Sequence, residues 1–232
     1  MASFDYVDIP KSALVRWSQA LSALAITGMS FTESLYEMER FEEILHIAAE
    51  IKAFAEEVTD PTSHYPQQQV ELWREVIVRG IPGYVTPKTA VGAIVGNDAH
   101  EILLVQRADS GVWLYPTGWA DVGYSPAEVV KKEVLEETGI EVEPVRLLSV
   151  VDGLQRGFTT VAMYSMIFYC RTLSGELKAH PLECRDVGWF SRDNLPSPLA
   201  ARDRWVEMAF LAIDGKVEPT YFDPPRTPFW NG

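Results

Sequence analysis

Cysteine is scarce in this 232-residue chain: Cys170 and Cys184 are the only two, and they form no CxxC pair. A disulfide framework and a cysteine-based zinc site are therefore both excluded, and a reducing cytoplasm is the expected compartment. Positive charge is also short, with 20 Lys and Arg against 33 Asp and Glu and a formal net charge of −13. Such a chain repels a phosphate polymer, because nucleic acids bind proteins mainly through neutralising cations. A small nucleotide remains possible only where metal ions or a few placed arginines offset the field. No apolar run approaches the roughly 20 residues of a membrane-spanning helix, and no basic stretch with an apolar core opens the chain. The four histidines, His46, His64, His100 and His180, share no metal-ligand spacing, and no internal repeat is visible.

What is present is an ordinary globular composition, 47% hydrophobic and 23% charged, enough to bury a core. Leu14, Val15, Leu21, Leu24 and Ala25 recur at helical spacing from Lys11 to about Thr27, with Gly28 placed to end that helix. A second helix is expected after Thr32, with a broad apolar stripe from Leu35 to Phe54. A third, shorter one should carry Val70, Trp73, Val76 and Ile77 to Gly80. Ile81-Pro82-Gly83 and Pro87 then punctuate the chain, and the pattern switches from helical to strand-like. These changes predict a helical N-terminal domain over residues 1–82 and an α/β domain over 83–232.

In the second domain strands are expected at Ala90 to Val95, Ile102 to Val105, Val145 to Val151, Thr160 to Cys170 and Val187 to Phe190. Helices are expected at Pro126 to Thr138 and at about Asp203 to Ile213. The first of these is well marked. Ser125 can cap it, Pro126 suits the first helical position, Glu128 completes a capping box and Gly139 supplies the stop.

Within that helix Glu133, Glu136 and Glu137 stand at i, i+3 and i+4, which predicts three carboxylates on one face opposite Ala127, Val130 and Val134. Like charges so close oppose one another, and Lys132 offsets only part of that; a divalent cation would remove the conflict. Carboxylate oxygens are hard donors suited to Mg²⁺ or Mn²⁺, and magnesium commonly joins protein carboxylates to substrate phosphates. A Glu-rich helix alone more often marks a solvated face. The Gly-punctuated segment Pro116-Thr117-Gly118-Trp119 leading into it is more than a charge run requires.

From Gly118 to Ile140 the chain resembles the Nudix family box, which runs Gly, five residues, Glu, seven residues, Arg-Glu-apolar-x-Glu-Glu-x-Gly-apolar. Gly118, Glu133, Val134, Glu136, Glu137, Gly139 and Ile140 match without a gap, while Thr117, Tyr124 and Lys132 replace a frequent glycine, the first glutamate and the arginine. The segment Trp17 to Glu50 resembles the helical N-terminal domain of a Nudix subgroup associated with ADP-ribose or CDP-choline hydrolysis. The resemblance implies an α/β/α sandwich with a mixed sheet and a magnesium-dependent hydrolase of nucleoside diphosphate conjugates. Its metal ligands would be Gly118 through its carbonyl, Glu133, Glu136 and Glu137, with one carboxylate from a later loop, Glu183 before Asp186. Lys132 would assist catalysis beside the glutamates. Arg107 and Arg156 are candidates for phosphate contacts, and Trp119 and Tyr124 for the rest of the substrate; Asp121 is read as a turn former. The helical segment is expected to form a homodimer contact or to shape the substrate mouth, since its stripe is broad for a hairpin that must stay soluble. The alternative reading is a non-catalytic nucleotide sensor.

Overall fold

The computed structural model describes residues 9–58, 60, 63–77, 86–200 and 205–225. The chain divides into two compact units: residues Met1–Pro87 with Gly153–Ala162, and Lys88–Asp152 with Met163–Gly232. The boundary expected near 82 falls among residues outside the described ones. Grouping of Gly153–Ala162 with the helices has no counterpart in the sequence reading.

The helical unit is built from α1 (Lys11–Phe31), α2 (Leu35–Ala55) and α3 (Tyr65–Arg74). Its core joins Ala25, Ile26, Met29, Leu45, Ala49 and Val70, with Phe41 and Trp73 packed against it. Gly28 does not end α1, which continues for three more residues to Phe31. A side chain at Gly28 would overlap the Phe41 ring, so the glycine serves close approach of the two helices. The third helix is shorter than expected, stopping at Arg74 before Val76 and Ile77. Leu154 joins Val15 and Ala55 in a second small cluster, with Ala162 packed against it, and this accounts for the grouping of residues 153–162.

The other unit is a mixed sheet between two helices, the expected α/β/α sandwich. Its strands are β1 (Lys88–Gly96), β2 (Ile102–Arg107), β3 (Trp113–Leu114), β4 (Thr117–Trp119), β5 (Ile140–Asp152), β6 (Met163–Gly175), β7 (Cys184–Phe190) and β8 (Tyr221–Phe222). The order is β3-β2-β1-β6-β5-β8, with β4 on β1 and β7 on β2. β1 pairs with β6 in parallel along nine residues, and β5 with β8 in parallel; the other pairs are antiparallel. Strand alternation splits the core between the two faces. Val91, Ala93, Val95 and Leu103 meet Val129, Val130 and Val134 of α4 (Pro126–Thr138). Ile94, Ile102 and Leu104 meet Trp205, Ala209 and Phe210 of α5 (Trp205–Ile213).

Two strands extend well beyond expectation, since β5 begins at Ile140 directly after Gly139, and β6 runs on to Gly175 but starts at Met163 rather than Thr160. The short β3, β4 and β8 have no sequence signal of their own.

Candidate active site

The site begins with the register of β4 on β1. Gly118 lies opposite Val91, whose side chain points toward α4, so Gly118 faces that helix as well. There a Cβ would overlap the carboxyl group of Glu133. Glycine therefore lets the half-buried Glu133 lie against the strand backbone.

α4 is fixed by the local chemistry expected of it. Ser125 Oγ accepts from the Glu128 N–H at 3.3 Å, Glu128 returns the bond to the Ser125 N–H at 2.7 Å, and Gly139 closes the helix with φ of 75°. One turn beyond Glu133, Glu137 is only 7% exposed. Its carboxylate accepts from the Thr117 N–H at 3.0 Å, so β4 contributes both a place for Glu133 and a donor for Glu137. Burial pushes the Glu137 pKa up to about 8; the Thr117 N–H opposes this, and the carboxylates of Glu133 and Glu183 add to it. Glu133 is raised too, first by burial, while Lys132 partly offsets Glu136, Glu183 and Asp121.

The three glutamates keep the i, i+3 and i+4 spacing of one helical face, but that face is not uniformly open and does not lie opposite the apolar stripe. Glu137 stands three and seven residues after Val134 and Val130 and so lies in line with the apolar stripe, where it is buried and bonded to β4. Glu136 is exposed, with Lys132 Nζ 3.7 Å away. Lys132 also donates to Asp121 at 2.8 Å, so Asp121 ties the loop to the helix through its side chain rather than merely forming a turn. Ala127 is only partly covered, and Val129, absent from the expected stripe, is fully buried.

Residues 176–183 deliver the loop carboxylate. Two orphan carbonyls at the end of α4 accept from this loop, Thr138 from the Lys178 N–H at 2.8 Å and Glu137 from the His180 N–H at 3.3 Å. The Glu183 carbonyl accepts from the Ala108 N–H at 2.8 Å, and the Cys184 N–H donates to the His180 carbonyl at 3.0 Å. Glu183 is thus held by its backbone on both sides, and its charge bears on Glu133 and Glu137. Asp186 instead lies in β7, exposed, and accepts from its neighbour Val187 at 2.9 Å.

Arg107, at the end of β2, pairs across the strands with Cys184 and lies close enough to Glu137 to lower that group's pKa. Asp109, which the sequence reading passed over, forms a two-pronged bond to it. Trp119 is half-exposed at the end of β4, with Lys88 Nζ 5.6 Å from its ring centre; Lys88 is a second residue not singled out beforehand. Their signal exists only in the register that brings β1 and β4 together. Tyr124 is exposed beside the cap of α4. Arg156 belongs to the other compact unit, with residues 153–162. Trp113 and Tyr115 are core residues, stacked edge-on against Phe190 and Trp205.

Among the described residues no three His, Cys, Asp or Glu side chains already converge as a metal cluster. The donor set nevertheless fits a hard divalent cation. Glu133 lies against the strand backbone at Gly118, Glu137 accepts from the Thr117 N–H, and the charge of Glu183 disfavours ionisation of both.

The sequence profile of the NUDIX domain matches residues 86–210 of the chain. A second profile, described as a UDP-X-like, N-terminal oligomerisation domain, matches residues 12–62. YjhB of Bacillus subtilis strain 168, which bears the provisional name of ADP-ribose pyrophosphatase, is 30% identical over 210 residues, covering 89% of this chain and 95% of the relative. An ADP-ribose pyrophosphatase of Methanocaldococcus jannaschii is 31% identical over 49% of this chain and 67% of its own. Among solved structures, that of a UDP-X diphosphatase superposes with a TM-score of 0.54 at 27% identity, covering 93% of this chain and all of the other.

Proposed function

The chain belongs to the Nudix hydrolase family, and on that premise we propose that it is a divalent-metal-dependent pyrophosphatase of nucleoside diphosphate conjugates, of the ADP-ribose or UDP-X kind. The observation that carries this reading is the placing of Glu133 against Gly118 and of Glu137 on the Thr117 N–H, with the charge of Glu183 acting on both. The relatives' names support the substrate class. CDP-choline remains in the set to be assayed.

In this reading the Gly118 carbonyl, Glu133, Glu137 and Glu183 hold the cation, with Glu136 joining from the outer side of α4. Hard oxygen donors favour Mg²⁺, with Mn²⁺ as a substitute. Bound there, such a cation would supply charge neutralisation at the diphosphate and a more acidic water. The protein's own work is to orient the acids, to offer a glutamate as acceptor for the proton of the attacking water, and to hold the substrate. Arg107 meets a phosphate, Trp119 and Tyr124 border the nucleoside or leaving group, and Lys132 keeps Glu136 and Asp121 in place. The products are a nucleoside monophosphate and a phosphorylated partner.

The helical N-terminal domain, residues 1–82 in this reading, forms a homodimer. Leu24, Leu35 and Phe54 are 66%, 84% and 75% exposed on it, and the oligomerisation profile matches the same helices. No described helix is long and apolar enough to cross a membrane. Two free cysteines suit the cytoplasm. The sensor alternative has no observation in its favour.

A panel of ADP-ribose, UDP-sugars, CDP-choline and related conjugates tests the reading. Phosphate should appear only with Mg²⁺ or Mn²⁺ and only after phosphatase is added, since the direct products are monoesters. Silence across the panel with both metals would overturn it.

A further inference from the structure

Arg107 carries a positive charge that is felt at Glu137 in this acidic site, and Asp109 fixes how its guanidinium points. Nε donates to Asp109 Oδ1 at 3.0 Å and one terminal nitrogen, Nη2, donates to Oδ2 at 2.7 Å. A guanidinium has five donors arranged along two usable edges. The carboxylate takes the Nε edge, which leaves the edge between the two terminal nitrogens free of Asp109.

Asp109 is itself pinned. Its Oδ1 also accepts from the Ser110 N–H at 2.5 Å, and the turn closes through Arg107 N–H to the Val112 carbonyl at 3.0 Å and Gly111 N–H to the Arg107 carbonyl at 2.9 Å. Gln106 Nε2 donates to the Gly111 carbonyl at 2.9 Å, and Arg185 donates twice to the Ala108 carbonyl at 3.0 and 2.7 Å. The segment from Gln106 to Val112 thus carries a dense set of bonds around one guanidinium. The same segment holds Glu183 through the Ala108 N–H, so the arginine and the loop carboxylate share one scaffold. The Arg107 contact holds the Asp109 carboxyl well below the usual carboxylate range, which keeps it ionised throughout the working pH range.

We propose that Asp109 is a positioning residue that presents the outer edge of Arg107 to a phosphate of the substrate's diphosphate. This rests on the reading of the protein as a diphosphate hydrolase. A nearby anion would compete with phosphate if it occupied the same edge, but here it occupies the other one. Its effect is to remove rotamer freedom that Arg107 would otherwise lose on binding, and a two-pronged arginine contact with phosphate depends on such orientation.

Calorimetric titration of the full-length protein with methylenediphosphonate, an uncleavable diphosphate, in the presence of Mg²⁺ tests this separately from turnover. Arg107→Ala should weaken binding by about tenfold or more, as expected for loss of a charge-assisted pair. Asp109→Asn should weaken it about three- to tenfold, and Asp109→Glu should restore part of the loss, since it can still fork to the guanidinium. The double variant Arg107→Ala/Asp109→Asn should bind no worse than Arg107→Ala alone, an outcome that general damage to the turn would not give. Tighter binding by Asp109→Asn would make Asp109 a competitor and overturn the proposal, as would unchanged binding or an additive double variant. No binding by the unaltered protein would overturn it together with any diphosphate role for Arg107. Failure of the substrate panel with diphosphonate binding intact would strike the catalytic reading alone.

Discussion

Glu136 and Glu137 are consecutive on α4, yet they live in different media. Glu137 is 7% exposed, takes the Thr117 N–H and sits beside Glu133 and Glu183. Glu136 stands in water with Lys132 3.7 Å away, and Lys132 is shared with Asp121. The difference comes from β4, which covers one side of the helix and leaves the other open. The inner side is therefore arranged before any ligand arrives, whereas the outer side is held by ion pairs that water and salt weaken.

The largest effect that follows is on turnover. Glu137→Gln should lower kcat by about a hundredfold or more, because it removes an acid from the covered cluster while keeping its shape and its bond to Thr117. Glu136→Gln should cost less, about tenfold, since its carboxylate must leave Lys132 to reach the same place. Steady-state kinetics at saturating Mg²⁺ would check the order. Equal losses would mean that the two sides are equivalent once metal is bound, and the contrast drawn from burial would fail.

The inner side should also make stability depend on pH. Glu137 titrates near 8 in the folded, metal-free protein, raised from an ordinary value of 4.5 by burial. Between those values the fold holds a proton that the unfolded chain has released, so the stabilisation is complete below pH 4.5 and is lost as pH rises through about 8. With chelator present, melting temperature should fall by several degrees between pH 5 and about pH 9. Glu137→Gln should flatten that slope, and Mg²⁺ should stabilise more at the alkaline end. A slope unchanged by Glu137→Gln would assign it to other groups.

This contrast explains what could be read in the chain and what could not. Helix α4 was legible to the residue because Ser125, Pro126, Glu128 and Gly139 act locally, through caps and a left-handed stop. The two-faced sheet followed from apolar runs of strand length. Burial of Glu137 was not legible, because it depends on three residues, Thr117–Trp119, pairing with β1, and a strand that short has no periodicity. Gly28 misled for a related reason: a helix stop and a close helix crossing both call for glycine, and only the Phe41 ring distinguishes them. Asp109 and Lys88 entered the same way, through contacts made by register and turn geometry rather than by spacing.

The smallest expected effect probes the outer side at its least expected residue. Tyr124 is 56% exposed just before the cap Ser125, and its N–H reaches the Asp121 carbonyl at 3.4 Å. The uncharged ring stands where a glutamate would place negative charge near the positive end of α4 and near the outer acids. Tyr124→Glu should therefore lower the Mg²⁺ concentration for half-maximal rate, by about two- to threefold, with little change in KM for substrate, since an exposed charge acts through solvent. The same substitution should leave the pH slope of the metal-free protein in place, because Glu137 lies on the covered side. A rise in KM at unchanged kcat would show instead that the ring binds substrate equally in its ground and transition states. Movement of neither quantity would make Tyr124 a packing residue of the loop, and the outer side would then owe its metal affinity to Glu136 and the Lys132–Asp121 pair.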